Sequence, residues 1–179
     1  MPCPKQRRRS LLLTALATGA CPAAVSSTAA EEDQPGSDER PQKGDLLVLS
    51  EGDHDCDVIR PSDLTLSGPP VHAWPKDPKT SVIRKGSRLN EILVIKLDPG
   101  ELDEETRSRS ADGIVAYSVI CTHTGCPVSK WVTAEGRDKN VLKRPRHNSE
   151  LNPRQSAQVV FGPAPLRLAA LPMQIATVP

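Results

Sequence analysis

The sequence predicts an all-β domain behind an N-terminal targeting segment, and three observations carry that expectation. Eighteen prolines are spread along 179 residues, which leaves little room for long helices. Apolar residues fall in short runs of Val, Ile, Leu and Ala, bounded by Pro, Gly or charged positions, as short strands do. The only aromatics are Trp74, Trp131, Tyr117 and Phe161, so the core must be aliphatic. Charged residues make up 25% and the net charge is +1, with no basic excess to attract a polyanion. With so few rings to stack bases on, no nucleic-acid partner is expected. The length suits one domain of ordinary size plus a short extension.

Residues 1–30 read as the targeting segment. "KQRRRSLLLTALATGACPAAVSSTAAEED" has a basic start, an apolar stretch from Leu11 to Ala20, and small residues before an acidic run. Arg8 and Arg9 followed by Ser10-Leu11-Leu12 fit a twin-arginine signal, the address for export of folded cargo to the periplasmic side of a bacterial inner membrane. Ser10 to Ala30 is uncharged and about long enough to span a bilayer, so the segment reads as a cleaved signal or as a membrane anchor. Residues 31–45, polar with Pro and Gly, read as a linker, and residues 46–179 as the domain.

Within the domain "LLVLS" (46–50) is a short strand, and residues 57–80 alternate brief extended pieces with proline turns. "SVIRKGSRLNEILVIKL" holds two strand-like runs, of which Ile92 to Ile95 is continuous and of buried type. "DPGELDEETRSRSADG" (98–113) is charged and aperiodic, and reads as a solvated surface insertion with one helical turn. "IVAYSVI" (114–120) resumes as a strand, and "VLKRPRH", "AQVVFGPAP" and "LRLAALPMQIATV" follow. His72, beside Trp74 in a proline-rich stretch, reads as a surface histidine, and "DHDCD" (53–57) as a solvated acidic turn.

The chemistry concentrates after residue 120. Cys121-Thr122-His123-Thr124-Gly125-Cys126 places two thiols and an imidazole within six residues at a strand end. Sulfur beside nitrogen suits iron–sulfur or zinc chemistry, and Gly125 permits a tight backbone path. A structural zinc site or a merely buried cysteine would use the same residues. Of the five cysteines, Cys3 and Cys21 fall in the targeting segment, and Cys56, Cys121 and Cys126 in the domain. An odd count implies a free thiol, a metal ligand or an intermolecular bridge.

Further along come Pro145, His147 and Ser149 in "KRPRHNSE", then Gly162-Pro163-Ala164-Pro165. Together these resemble the Rieske iron–sulfur family, in which a C-T-H-x-G-C box pairs with C-P-C-H-x-S and a G-P-x-P loop follows. The resemblance runs from about Leu46 to the C-terminus and is strongest over 114–172. Cys126 and the proline loop resemble the quinol-oxidising cytochrome bc-type members, and the small Rieske subunit of a periplasmic oxidoreductase such as arsenite oxidase is the alternative. The resemblance implies an antiparallel β-sandwich with a small cluster-binding subdomain, whose loops lie at about 114–165. It also implies an electron-transfer subunit of a quinol–cytochrome c reductase rather than a catalyst alone. Its partners would be quinol and cytochrome b and cytochrome c1-like subunits, with membrane association through the N-terminus.

In that family a 2Fe-2S cluster is held by two cysteines on one iron and two histidines on the other. The resemblance puts Cys121, His123 and His147 at three of the ligand positions, and Arg144 at the fourth. Arg146 stands where the disulfide partner of Cys126 would be. The resemblance also assigns Thr124, Gly125, Ser149, Leu151, Gly162, Pro163 and Pro165 to the cluster's surroundings. Leu151 takes the place of a tyrosine that donates to a ligand sulfur in many bc-type members. A guanidinium only donates and cannot ligate iron. Aimed into the cluster site, it carries a burial penalty on the order of several kcal/mol unless it swings outward or finds a partner. Cys126, released from a disulfide, becomes a possible substitute ligand. With Cys121, His123 and His147 it makes a Cys2His2 set, so zinc, or a fold with no metal, stands beside the iron–sulfur reading.

Overall fold

The computed structural model describes residues 34–50, 56–122, 125–133 and 139–176. Among them are nine strands and one short α-helix: β1 (Leu46–Leu49), β2 (Val71–Lys76), β3 (Ile92–Lys96), α1 (Glu104–Arg109), β4 (Ile114–Ser118), β5 (Lys130–Thr133), β6 (Asn140–Lys143), β7 (Glu150–Asn152), β8 (Gln158–Phe161) and β9 (Ala170–Leu171). They form two antiparallel sheets, one ordered β1-β2-β3-β4-β9 and the other β5-β6-β7-β8. The all-β expectation therefore holds.

The central strands explain why "ILVIK" and "IVAYS" look uniformly apolar. Side chains alternate across a strand, so a sheet covered on both faces needs apolar residues at every position. Leu93, Ile95, Val115 and Tyr117 enter one core, whereas Ile92, Val94, Ile114 and Ala116 enter another on the opposite face. The first core also takes Cys121, Val128, Leu142, Leu151, Ala164 and Leu168, so it joins the two sheets. β4 pairs with β9 through Ala116↔Leu171 and Tyr117↔Ala170. The whole four-stranded sheet is thus inserted between two neighbouring strands of the other.

Three local readings change. The described part of the expected linker, 34–45, is docked on the domain by a buried arginine: Arg84 donates to Asp45 Oδ2 and Glu39 Oε2, each at 2.7 Å. His72 lies on β2, half-buried, with Nδ1 2.6 Å from Glu91 Oε1. The charged insertion is not simply solvated, since Leu102 and Thr106 are buried in it. Asp103 caps α1 by accepting from the Thr106 amide at 2.7 Å, with Glu104 and Glu105 in the first turn and Arg107 and Arg109 in the last, as the helix dipole favours.

That insertion braces the four-stranded sheet. Glu101 takes Arg154 at 2.7 Å and Lys139 at 2.8 Å, and the Ser156 amide donates to Thr106 Oγ1. From the core side the Tyr117 hydroxyl donates to the Pro153 carbonyl at 2.7 Å. Burial pushes that hydroxyl's pKa up to about 12.

Candidate functional site

Three loops carry the residues singled out in the sequence: 119–128 after β4, 144–149 between β6 and β7, and 162–168 after β8. The first turns back on itself through an Ile120↔Pro127 bridge. The Cys121 amide donates to the Cys126 carbonyl at 3.0 Å, and the Gly125 amide to the Cys121 carbonyl at 3.1 Å. Gly125 has φ +67°, the left-handed conformation that the tight path needs. Cys121 is buried in the core at 1% exposure, Cys126 is half-buried, and both are thiols. His123 and Thr124 lie outside the described residues.

The second loop divides its side chains sharply. Arg144 is completely enclosed and is the largest of the fully buried side chains, whereas Pro145, Arg146, His147 and Asn148 are exposed. Ser149 is buried again, and its carbonyl accepts the Arg144 amide at 2.9 Å, closing the turn. Leu151 follows as a fully buried core residue. It packs with Leu142 and Cys121, so it serves here as apolar filling.

The proline loop fastens the other two. The Thr122 hydroxyl donates to the Leu166 carbonyl at 2.7 Å, and the Ala164 amide donates to Ser149 Oγ at 3.2 Å. At Gly162, with φ +93°, a Cβ would stand 2.6 Å from the Cα of Ser149. Only glycine lets the loop come that close. Pro163 and Pro165 are exposed on either side of buried Ala164. The structure therefore joins the first box, the second box and the proline loop into one assembly.

Some contributors were not legible in the sequence. Arg88 reaches over the first loop, its Nη2 3.6 Å from where a Cβ on Gly125 would be. Leu89, next to Arg88, and Leu166, whose carbonyl accepts from Thr122, are exposed at 61% and 65%. Nothing in their local sequence marks them, because both lie outside the strands. No set of three or more His, Cys, Asp or Glu residues converges on a metal position among the described residues.

The donor set can be tested directly against a cluster. Four ligands are needed. Position 144 offers five N–H donors and a permanent positive charge instead of a thiolate, and its side chain is fully interior. The residues present do not make a complete Rieske ligand set.

Sequence comparisons place these features among known proteins. No protein-family model matches the chain. It is 34% identical over 125 residues to the cytochrome bc1 complex Rieske iron-sulfur subunit of Streptomyces lividans, covering 68% of this chain and 69% of that protein. It is equally similar to the subunit of that name from Streptomyces coelicolor, where the match covers 33% of the relative. The subunit of that name from Corynebacterium diphtheriae is 40% identical over 91 residues, 48% of this chain and 21% of the relative. The chain therefore spans about two thirds of the first relative and a third or less of the other two.

Proposed function

Because the chain belongs to the Rieske iron–sulfur family, in its cytochrome bc-type branch, we propose that it takes the Rieske subunit's position in a quinol-oxidising cytochrome bc complex. It sits there beside cytochrome b and cytochrome c1-like subunits. One observation carries this reading: two large apolar side chains whose neighbours touch the first loop are exposed, Leu166, whose carbonyl accepts from Thr122, and Leu89, next to Arg88. Pro163 and Pro165, just before Leu166 in the chain, are exposed as well. Exposed large apolar side chains beside a loop assembly mark a surface that can pack on a partner.

The N-terminal segment fits the same reading. Residues 1–30 serve as a twin-arginine signal or membrane anchor and deliver the folded domain to the periplasmic side. No helix among the described residues is long and apolar enough to cross a membrane, and residues 1–30 lie outside them.

In this family a 2Fe-2S cluster supplies one-electron transfer when bound. Cys121, His123 and His147 are the positions in this chain that would face it, and Arg144 does not fit the fourth. No electron-transfer step is assigned to this chain on that basis. What its own residues do is position the loops. Thr122 and Ser149 tie them to the proline loop, and Gly162 lets that loop close.

The test is association. The full chain, tagged and expressed in a bacterium with a cytochrome bc complex, should co-elute from mild detergent with b- and c-type haem absorbance. Leu166→Glu should reduce the haem recovered roughly tenfold. A folded chain that elutes free of haem would sink the proposal.

A further inference from the structure

The enclosed guanidinium points past the question of a weakened cluster site to a different use of the same space. We infer that Arg144 is a structural core residue at the position of the missing cysteine ligand, and that this chain folds and keeps its loop geometry with neither an iron–sulfur cluster nor zinc. The inference rests on the family assignment only for the meaning of position 144, and not on the proposed partner subunits.

One loop holds the sharpest contrast. Arg144 and Arg146 are two residues apart, both at positions where the family has cysteine, yet one is fully buried and the other exposed. Had the interior rejected a guanidinium, Arg144 would have turned to solvent as Arg146 does. It is instead the largest fully buried side chain among the described residues, so that position presents an interior cation where a metal centre needs a thiolate. A fixed cation there opposes the entry of iron or zinc ions.

Direct protein contacts also join the three loops. A structural metal site supplies the cross-link that a small irregular subdomain otherwise lacks. Here protein contacts supply it: Thr122 to Leu166, Ala164 to Ser149, Arg144 to Ser149 through the backbone, and the close seat of Gly162 on Ser149. Cys121 is already a member of the aliphatic core, where a thiol behaves as a small hydrophobe. Cys126 is a thiol, so no disulfide joins the two loops at that point.

Elsewhere this fold encloses another arginine for structural reasons. Arg84, 5% exposed, pins residues 36–45 to the domain through Asp45, Glu39 and the Gly36 carbonyl.

The experiment uses the full chain, produced anaerobically in cells with an active iron–sulfur assembly system. Iron, acid-labile sulfide and zinc per chain are measured, together with thermal melting before and after EDTA and dithionite treatment. We expect each metal and the sulfide at less than about a tenth of stoichiometric, and an unchanged melting temperature after treatment. Arg144→Ala should melt about 5 °C or more below the parent, with equally low metal content. If that variant does not fold, Arg144→Met, which keeps most of the length without the charge, should fold and also melt below the parent. Near-stoichiometric iron and sulfide with a Rieske-type EPR signal would overturn the inference. So would stoichiometric zinc, a melting temperature that falls on chelation, or variants as stable as the parent. Loss of haem co-elution would sink the placement in a cytochrome complex and leave these measurements unaffected.

Discussion

The two sheets achieve order by different means. In the five-stranded sheet, β3 and β4 bury nearly every side chain, and apolar packing on both faces holds them. In the four-stranded sheet, β6 and β7 reach the shared core, but β5 and β8 are half-buried or exposed, and tethers add to the packing: Tyr117 to Pro153, Thr106 to Ser156, Glu101 to Arg154, and the proline loop onto Ser149. A region held by apolar area degrades gradually as its packing is trimmed. One held by a few directional contacts can be released one contact at a time. The candidate site lies in the second kind of region, which is where substitutions such as Arg144 and Arg146 can be accommodated.

Four substitutions probe this contrast. Leu93→Ala, in the shared core, should cost about 2–5 kcal/mol and lower the midpoint of chemical denaturation for both sheets together. Two separated transitions would mean that the sheets do not share one core. Gly162→Ala should cost about 2–3 kcal/mol, because the left-handed backbone and the nearby Ser149 both reject a Cβ. Its effect should be local: amide exchange should quicken across 144–149 and 162–168 before it changes in β3.

Tyr117→Phe removes one tether and should cost about 1–2 kcal/mol at neutral pH. The tyrosine pKa rises from 10.0 to about 12 on folding, so folding favours the neutral phenol. Its contribution is fully present below pH 10 and is lost as pH rises toward 12. Denaturation midpoints measured across that range should fall less steeply in the phenylalanine variant. The smallest effect belongs to Glu101→Gln. Lys139 first, and then Arg154, hold this carboxyl below its ordinary 4.5. The stabilisation is therefore present above pH 4.5 and disappears as pH falls through the lower folded value. The variant should be slightly less stable than the parent at pH 7 and converge with it in acid.

How much could be read in advance follows the same division. β3 and β4 were legible because a continuous apolar run of that length suits a buried strand and little else. β5 ("KWVT") and β7 ("ELN") were not, since they are short, half-polar, and defined by partners rather than by pattern. The bracing role of 98–110 was hidden because two inward side chains, Leu102 and Thr106, sit among charges that do face water. The boxes were legible because Cys, His, Pro and Gly recur at fixed spacings. The fate of Arg144 was not, because sequence could state the burial penalty but not whether the surrounding fold would bear it.

The pairing of β4 with β9 has a consequence for how such a protein changes over time. Everything from residue 119 to 169 is a detour between two strands that already lie side by side, so the frame does not depend on the detour for its connectivity. Lineages can rework the exposed loops of the excursion so long as the side chains it sends into the shared core are kept. A shortened chain in which a tight turn joins β4 directly to β9, with Leu93, Ile95 and Val115 made polar, would be the minimal frame on which the detour was hung.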